Sequence, residues 1–373
     1  MRSSRDRFCA VLVLLPSLVL VGIFVYGFIG QTLYVSTTDW GRGAQAALAV
    51  NPQLHPVGLA NYRELFTGFL DLRFRQDLVN MFFFTLLFVG ASLFLGLLFA
   101  TLLDQQIWGE GLFRTIFLFP MSLSFVVTGT IWRWLLQPQG GVNALPTLVG
   151  LPPGRFLWLS ERGQTLIFNY QTLWHYLSVG AAVVLLAGAA FYLARRRRWA
   201  AVALGVPGVV LALWAWSGRA AALHLLPFPE THGLSLALIG VVLAATWQMA
   251  GYTMALYLAG LRTIPDDLRE AARVDGANRW QVYRHVELPL LLPITWSAVI
   301  ILGHIALKIF DLVLALAGTD NAPTSVPAIS MYLTTFRGNQ FAKGASIAVV
   351  LLVTVSFLII PYLVSSGKEA GGE

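Results

Sequence analysis

Glu270-Ala271-Ala272-Arg273-Val274-Asp275-Gly276, with Val286-Glu287-Leu288-Pro289 following soon after, is a charged stretch set between long apolar runs. A membrane-spanning helix needs about 20 predominantly apolar residues, whereas residues 262–287 carry acidic and basic side chains along their length. The segment therefore lies in water beside a membrane. Leu268, Ala271, Ala272 and Val274 fall between the charges and predict a short helix with one apolar side. Pro265 followed by Asp266 and Asp267 marks its start. Gly276 permits a sharp change of direction, because glycine accepts positive φ at no steric cost. Leu288-Pro289 closes the segment where the next apolar run begins. A two-part helix of this kind is shaped to press into a groove of a soluble partner.

Working outward from that loop, charge-poor runs predict eight spans, at residues 8–30, 81–103, 115–136 (which contains Pro120), 173–194, 199–216, 234–260, 290–316 and 345–364. Helices are required, since backbone groups in hydrocarbon must be satisfied internally. Composition agrees: the 373 residues are 57% hydrophobic and 12% charged, against roughly 25% charged in soluble domains. The predicted class is an all-α polytopic membrane protein. Arg2, Arg5 and Arg7 give the first run a signal-like flank. Its apolar length nevertheless exceeds the ~7–15 residues of a signal-peptide core, so it is read as a retained span. The single cysteine, Cys9, excludes an internal disulfide. A net charge of +7 is carried at span ends, without the continuous basic face that nucleic-acid binding needs.

Basic residues concentrate on the cytoplasmic side of membrane proteins. Eight spans starting inside place the N-terminus, residues 104–114, the Arg195-Arg196-Arg197-Arg198 turn, residues 262–287 and Lys368 together in the cytoplasm. Residues 31–80, 137–172, 217–233 and 317–344 fall outside. Both termini are then cytoplasmic, and the four-arginine turn shares a side with the charged loop.

The order of EAA, glycine and Leu-Pro at Glu270–Pro289, in the form EAARVDGA, resembles the EAA loop of carbohydrate-type ABC importer permeases, the inner-membrane components of binding-protein-dependent transport systems. Other stretches are similar to sugar permeases of glucose/mannose and maltose type. They include Val57-Gly58-Leu59-Ala60-Asn61-Tyr62 with Leu65-Phe66, Phe113-Arg114-Thr115 to Phe119-Pro120, and Gly129 to Trp134 with Gly141-Val142-Asn143. Trp247-Gln248, Ala259-Gly260-Leu261, Ile264-Pro265 and Phe310-Asp311 continue the pattern. At Thr319-Asp320-Asn321-Ala322-Pro323 the sequence departs from the family's TGGGP. The resemblance implies a type I ABC importer transmembrane domain with about eight spans, a six-span core plus an inserted hairpin. It divides the chain into an N-terminal span and extracytoplasmic segment (1–80), the permease domain (81–365, with the hairpin at 171–217 and the coupling loop at 262–289) and a cytoplasmic tail (366–373).

The same resemblance implies that Glu270, Ala271, Ala272, Asp275, Gly276, Leu288 and Pro289 couple the chain to an ATPase. It implies as partners a second, unlike permease subunit, two cytoplasmic ABC ATPases and an extracytoplasmic sugar-binding protein, in a bacterial or archaeal cytoplasmic membrane. No G-x-x-x-x-G-K-[S/T] phosphate loop occurs in the chain, so ATP and magnesium are expected in the partner ATPases. Neither a catalytic residue nor a metal site is expected here: the six histidines are dispersed.

Within the spans, polar side chains suited to a sugar are the candidates for a substrate path, because hydroxyls need donors and acceptors beside aromatic faces. Gln248 and Tyr252, one turn apart, supply both, and Ser122, Ser124 and Thr128 lie in the third span, where Pro120 is expected to bend the helix. Serine and threonine in such helices also bridge helices. Ionisable groups inside a span are costly and therefore functional candidates. Lys308 and Asp311, three apart with His304 a turn earlier, are expected to pair on one helix or to line a polar path. The Trp132 and Trp134 pair is expected at an interfacial belt, and Arg195 to Arg198 act as an orientation anchor or meet anionic lipid. The function expected is ATP-driven import of a sugar, with a glucose- or mannose-like monosaccharide favoured over an oligosaccharide or sugar phosphate. An ion-coupled secondary transporter is the alternative, but inverted repeats are not visible in the sequence. A membrane enzyme would need a nucleophile–base cluster, which the charged loop lacks.

Overall fold

The computed structural model describes residues 4–43, 53–105 and 107–370. The chain separates into two compact units, one formed by Met1–Phe66, Arg73–Gly163 and Ser235–Glu373, the other by Thr67–Leu72 and Gln164–Leu234. Helices dominate both.

The larger unit begins with α1 (Ser4–Val21) and α2 (Phe28–Ser36), joined by a π turn into one apolar run. Its end is tied down by the short α3 (Ala60–Thr67). Buried Asn61 donates to the Ser36 and Thr38 carbonyls, both at 2.8 Å, and accepts from Arg42, while the Tyr62 hydroxyl meets Ser36 Oγ at 2.7 Å. Within the Gly58-Leu59-Ala60-Asn61-Tyr62 stretch, Asn61 thus satisfies carbonyls left over where a helix ends, and Tyr62 bonds the neighbouring Ser36 hydroxyl. Asn143 acts alike, donating to the Pro138 and Phe156 carbonyls and accepting from Trp158.

Next comes α4 (Leu72–Leu103), 32 residues long and therefore about 48 Å from end to end. The expected third span is not one helix. It divides into α5 (Glu110–Leu118) with a 3₁₀ turn to Ser122, and α6 (Phe125–Leu135), which meet at 101°. Pro120 cannot continue the α-helical ladder, and Leu123 and Ser124 are extended. Ser124 Oγ then caps α6 by accepting from Val127 N at 3.2 Å.

The smaller unit holds β1 (Gln164–Asn169), α7 (Leu173–Ala194), α8 (Arg198–Trp216) and β2 (Thr231–Ser235). The strands pair antiparallel, with Gly233 against Thr165 and the Tyr170 amide donating to the Glu230 carbonyl at 2.7 Å. The two helices pack along their length behind the arginine turn, where Arg196 takes φ +58°. Because residues 231–235 are strand, the next helix begins later than the apolar run suggests.

The larger unit resumes with α9 (Leu238–Thr263), α10 (Asp266–Val274), α11 (Arg279–Val282), α12 (Leu292–Leu307), α13 (Asp311–Ala317), α14 (Pro327–Tyr332) and α15 (Phe341–Ala370). The expected seventh span at 290–316 is likewise interrupted. It enters α12 through a 59° bend at Leu291 and stops at Lys308, before α13 starts at Asp311. Ending the helix there leaves both charged side chains exposed, and Asp311 sits in the first turn of α13, where the helix dipole favours an anion. The buried α14 was not anticipated as an element. Residues 366–370 of the expected tail continue α15, and 371–373 lie outside the described residues. Among the described residues, six helices are long and apolar enough to cross a membrane, or up to eight when each bent pair counts as one span.

α9 is the central post, buried along most of its length. Small residues set its neighbours' distances: a Cβ on Gly96 of α4 would strike Thr253, and one on Gly260 would strike Ile294 and Leu291 of the α12 approach. Thr253 Oγ1 donates across to the Ser92 carbonyl at 2.7 Å. Close backbone approach with interhelical hydrogen bonding is the usual glue between membrane helices, where lipid removes the hydrophobic drive.

A charged loop and a polar break

α10 obeys its sequence signals. Pro265 precedes it, Asp266 and Asp267 occupy its first turn, and Arg273 its last, so the charges complement the helix dipole. Gly276 takes φ +86°. α11 then opens with a reciprocal capping box, in which Asn278 and Gln281 each satisfy the other's amide. Ile264 and Leu291, at the two feet of the loop, are buried in one apolar cluster with Ala100, Leu103, Met254, Tyr257, Leu258 and Leu261. The loop is therefore anchored at both feet on α4 and α9.

Its outer surface has no such cover. Val274 is 87% exposed, Trp280 64% and Leu268 46%. Glu270, Ala271, Asp275, Gly276 and Pro289 are exposed, and Ala272 and Leu288 half-buried. All seven expected coupling residues thus sit on one loop, at the end of α4 and α9 that carries Asp104 and Arg262. Beneath α10, Arg269 Nε lies 2.9 Å from Glu287 and its Nη2 donates to Asp104 at 3.3 Å. Alongside, Glu110 pairs with Arg262 at 2.7 Å and with Arg114. A cleft of about 590 Å³ opens there between α4 and the loop, with Arg273, Arg279, Trp280 and Tyr283 among its lining residues.

Along α9 and the α5–α6 break the structure gathers some of the polar candidates and separates others. Gln248 is buried and donates to the Leu123 carbonyl at 2.7 Å, which places it at the α5–α6 break beside Ser124. Gln248 Oε1 and the buried Thr128 Oγ1 have no hydrogen-bond partner. Tyr252 lies one turn along α9, half-buried. A Cβ on Gly251 would collide with the Phe117 carbonyl, so α9 presses directly on the backbone leading into the break. The expected pairing of Lys308 with Asp311 on one helix is not formed, because the helix ends between them and no ion pair joins them. The tryptophans also differ: Trp134 is exposed, whereas Trp132 turns inward edge-on to Trp247 at 5.9 Å.

The far end of α4 carries a polar clasp that sequence reasoning missed. Asn80, fully buried, donates to the Ser325 carbonyl at 2.9 Å and the Pro323 carbonyl at 3.2 Å. Asp77 Oδ2 accepts from Ser325 at 3.0 Å and Ser330 at 2.5 Å, and Arg73 donates to the Thr319 carbonyl at 2.5 Å. Together they hold residues 319–330, the stretch that departs from the family pattern. The available signal was the Arg-Gln-Asp-Leu-Val-Asn run at residues 75–80, too polar for lipid and ahead of the expected second span.

Comparison with known proteins follows this geometry. Residues 92–366 match the family described as binding-protein-dependent transport system inner membrane component. The probable ABC transporter permease protein of Pyrococcus horikoshii is 34% identical over 99% of both chains. The xylose/arabinose import permease of Haloferax volcanii is 31% identical over 95% of this chain and 86% of its own. Among solved structures, a bacterial alginate ABC transporter, crystallised with an alginate pentasaccharide-bound periplasmic protein, superposes with a TM-score of 0.60 at 18% identity, over 95% of this chain and 93% of that one.

Proposed function

The chain belongs to the family of binding-protein-dependent transport system inner membrane components, and from that premise we propose how it works: it admits a neutral sugar along α9 and the α5–α6 break, and takes its drive through the loop at 262–289. As an ABC importer permease it is a transport subunit of the inner membrane and not an enzyme. In this reading the loop faces the cytoplasm and docks on one of two ATPases, which bind ATP and magnesium. An unlike permease completes the membrane path, and an extracytoplasmic protein delivers the sugar. The exposed apolar face of α10 and α11 carries the proposal. Val274, Trp280 and Leu268 stand out from a helix otherwise too charged for lipid, which suits insertion into a hydrophobic groove of a soluble partner.

A monosaccharide is our favoured cargo, supported by the Haloferax relative, whose name specifies two pentoses. Gln248, Ser124, Thr128 and Tyr252 would supply the amide, hydroxyls and aromatic face, with Gln248 Oε1 and Thr128 Oγ1 as acceptors not engaged within the chain. Lys308 and Asp311, exposed at the α12–α13 break, would line its polar margin. Glu270→Lys should abolish sugar uptake while membrane insertion and the sugar affinity of the binding protein persist. Wild-type uptake by that variant, with the ATPases still assembled, removes the coupling assignment.

A further inference from the structure

Arg269 joins more elements than any other side chain at the docking end. From within α10 it reaches Asp104 at the end of α4 (3.3 Å), the Leu261 carbonyl of α9 (3.0 Å), Glu287 in the second limb of the loop (2.9 Å) and Asp266 on its own helix (3.5 Å). Its side chain is 16% exposed, and those of Asp104 and Glu287 are 20% and 15% exposed, whereas Asp266 is 84% exposed. The pairs that cross between elements are thus the sheltered ones, least weakened by water and salt. Arg262, which pairs with Glu110 across a neighbouring gap, is 43% exposed.

The apolar feet at Ile264 and Leu291 hold the loop down without fixing its direction, because hydrophobic contact is non-directional. A guanidinium presents its donors in one rigid plane. Rotating α10 against α4 or α9 would therefore break charge-assisted bonds that Ile264 and Leu291 cannot replace. α4 in turn runs about 48 Å as one uninterrupted helix from Asp104 to the clasp formed by Arg73, Asp77 and Asn80 on residues 319–330. A load placed on α10 has a continuous, polar-clamped route to the opposite end of α4.

We propose that Arg269 is the positioning residue that locks the docking helix to α4, so that a push on α10 is delivered along α4 rather than absorbed by rotation of the loop. The inference rests on the reading that α10 docks on an ATPase. It concerns transmission, not docking: the Arg269 side chain is sheltered beneath the helix, whereas Val274 stands out in the open.

The test uses the whole importer, this chain with its permease and ATPase partners, in lipid nanodiscs. The readout is ATP hydrolysis stimulated by the binding protein as isolated from the host. Arg269→Ala should retain the ATPases on co-purification yet lose about tenfold of the stimulation, within the range for residues that carry coupling. Arg269→Lys, with one point charge instead of a fork, should fall between. Asp104→Cys with Arg269→Cys should be equally defective until a short bis-methanethiosulfonate bridge joins them, whereupon stimulation returns. Recovery on bridging is a result that lost folding cannot give. Full stimulation in Arg269→Ala, or no recovery after bridging, overturns the proposal. If Arg269→Ala alone sheds the ATPases, the residue only shapes the docking face and the proposal falls by itself. If the wild-type chain does not retain them, the docking reading fails and takes the proposal with it.

Discussion

Gly276 isolates what one residue contributes to the loop at residues 262–289. Its φ of +86° lies in the left-handed region, and a Cβ there would meet nothing within 4 Å. Substitution is therefore penalised by backbone conformation alone, at about 1–2 kcal/mol for an ordinary residue. Asparagine tolerates positive φ better than β-branched residues do. Gly276→Asn should accordingly keep more sugar uptake than Gly276→Val, with little difference in thermal stability between them. Equal loss in both, measured by uptake in whole cells, would mean that the bare surface of the glycine matters and not its turn. Asn61 and Asn143 make a related point. Their side chains look like candidate ligand groups in a sequence, yet each is consumed within the chain, its amide nitrogen by backbone carbonyls and its oxygen by Arg42 or Trp158.

At the scale of elements, the 101° break between α5 and α6 is produced by two causes acting together. Pro120 and the Ser124 cap make it possible locally. Gln248 holds the freed Leu123 carbonyl, and the absent side chain of Gly251 lets α9 touch the Phe117 backbone. Gly251→Ala puts a methyl group into backbone that cannot step aside, and should cost about 1–3 kcal/mol as overpacking does. A lowered melting temperature in detergent, with reduced uptake per assembled complex, is the expected outcome. An unchanged melting temperature would show that α9 and α5 separate freely at this point. The corresponding glycine at 260 sets the approach of α12 instead, away from the break.

For the whole molecule, orientation and modularity are the testable properties. Cysteines placed at Arg196 and Arg273 should both react with a membrane-impermeant reagent from the cytoplasm, and one at Arg155 only from outside. Reaction of the first two from opposite faces would rule out the eight-span arrangement. The hairpin of the smaller unit begins and ends on paired strands, with Tyr170 bonded to Glu230. Replacing residues 170–230 by a short turn should therefore close β1 onto β2 and leave the loop at 262–289 on its original side. Removing one helix of the hairpin should misinsert everything downstream. Correct insertion of the excised chain with the ATPases bound but no transport would make the hairpin part of the path.

The predominantly helical class, the hairpin helices, the ends of α10, the turn at Gly276 and the exposed charged loop are determined by sequence, because lipid forces long apolar runs into helices and water forces the charged loop out. Those signals act within a few turns of chain. What only the tertiary structure decided lies between segments far apart in sequence. Pro120 marks a bend, but the apolar run does not reveal that the helix breaks fully at Leu123 or that another stops at Lys308, since the partner that holds the broken backbone is Gln248 on another helix. Nor does it show that Trp132 turns inward, or that Arg73, Asp77 and Asn80 are spent on a loop some 240 residues later. Burying a polar group is costly unless a partner meets it, and only the packed structure shows which partner that is.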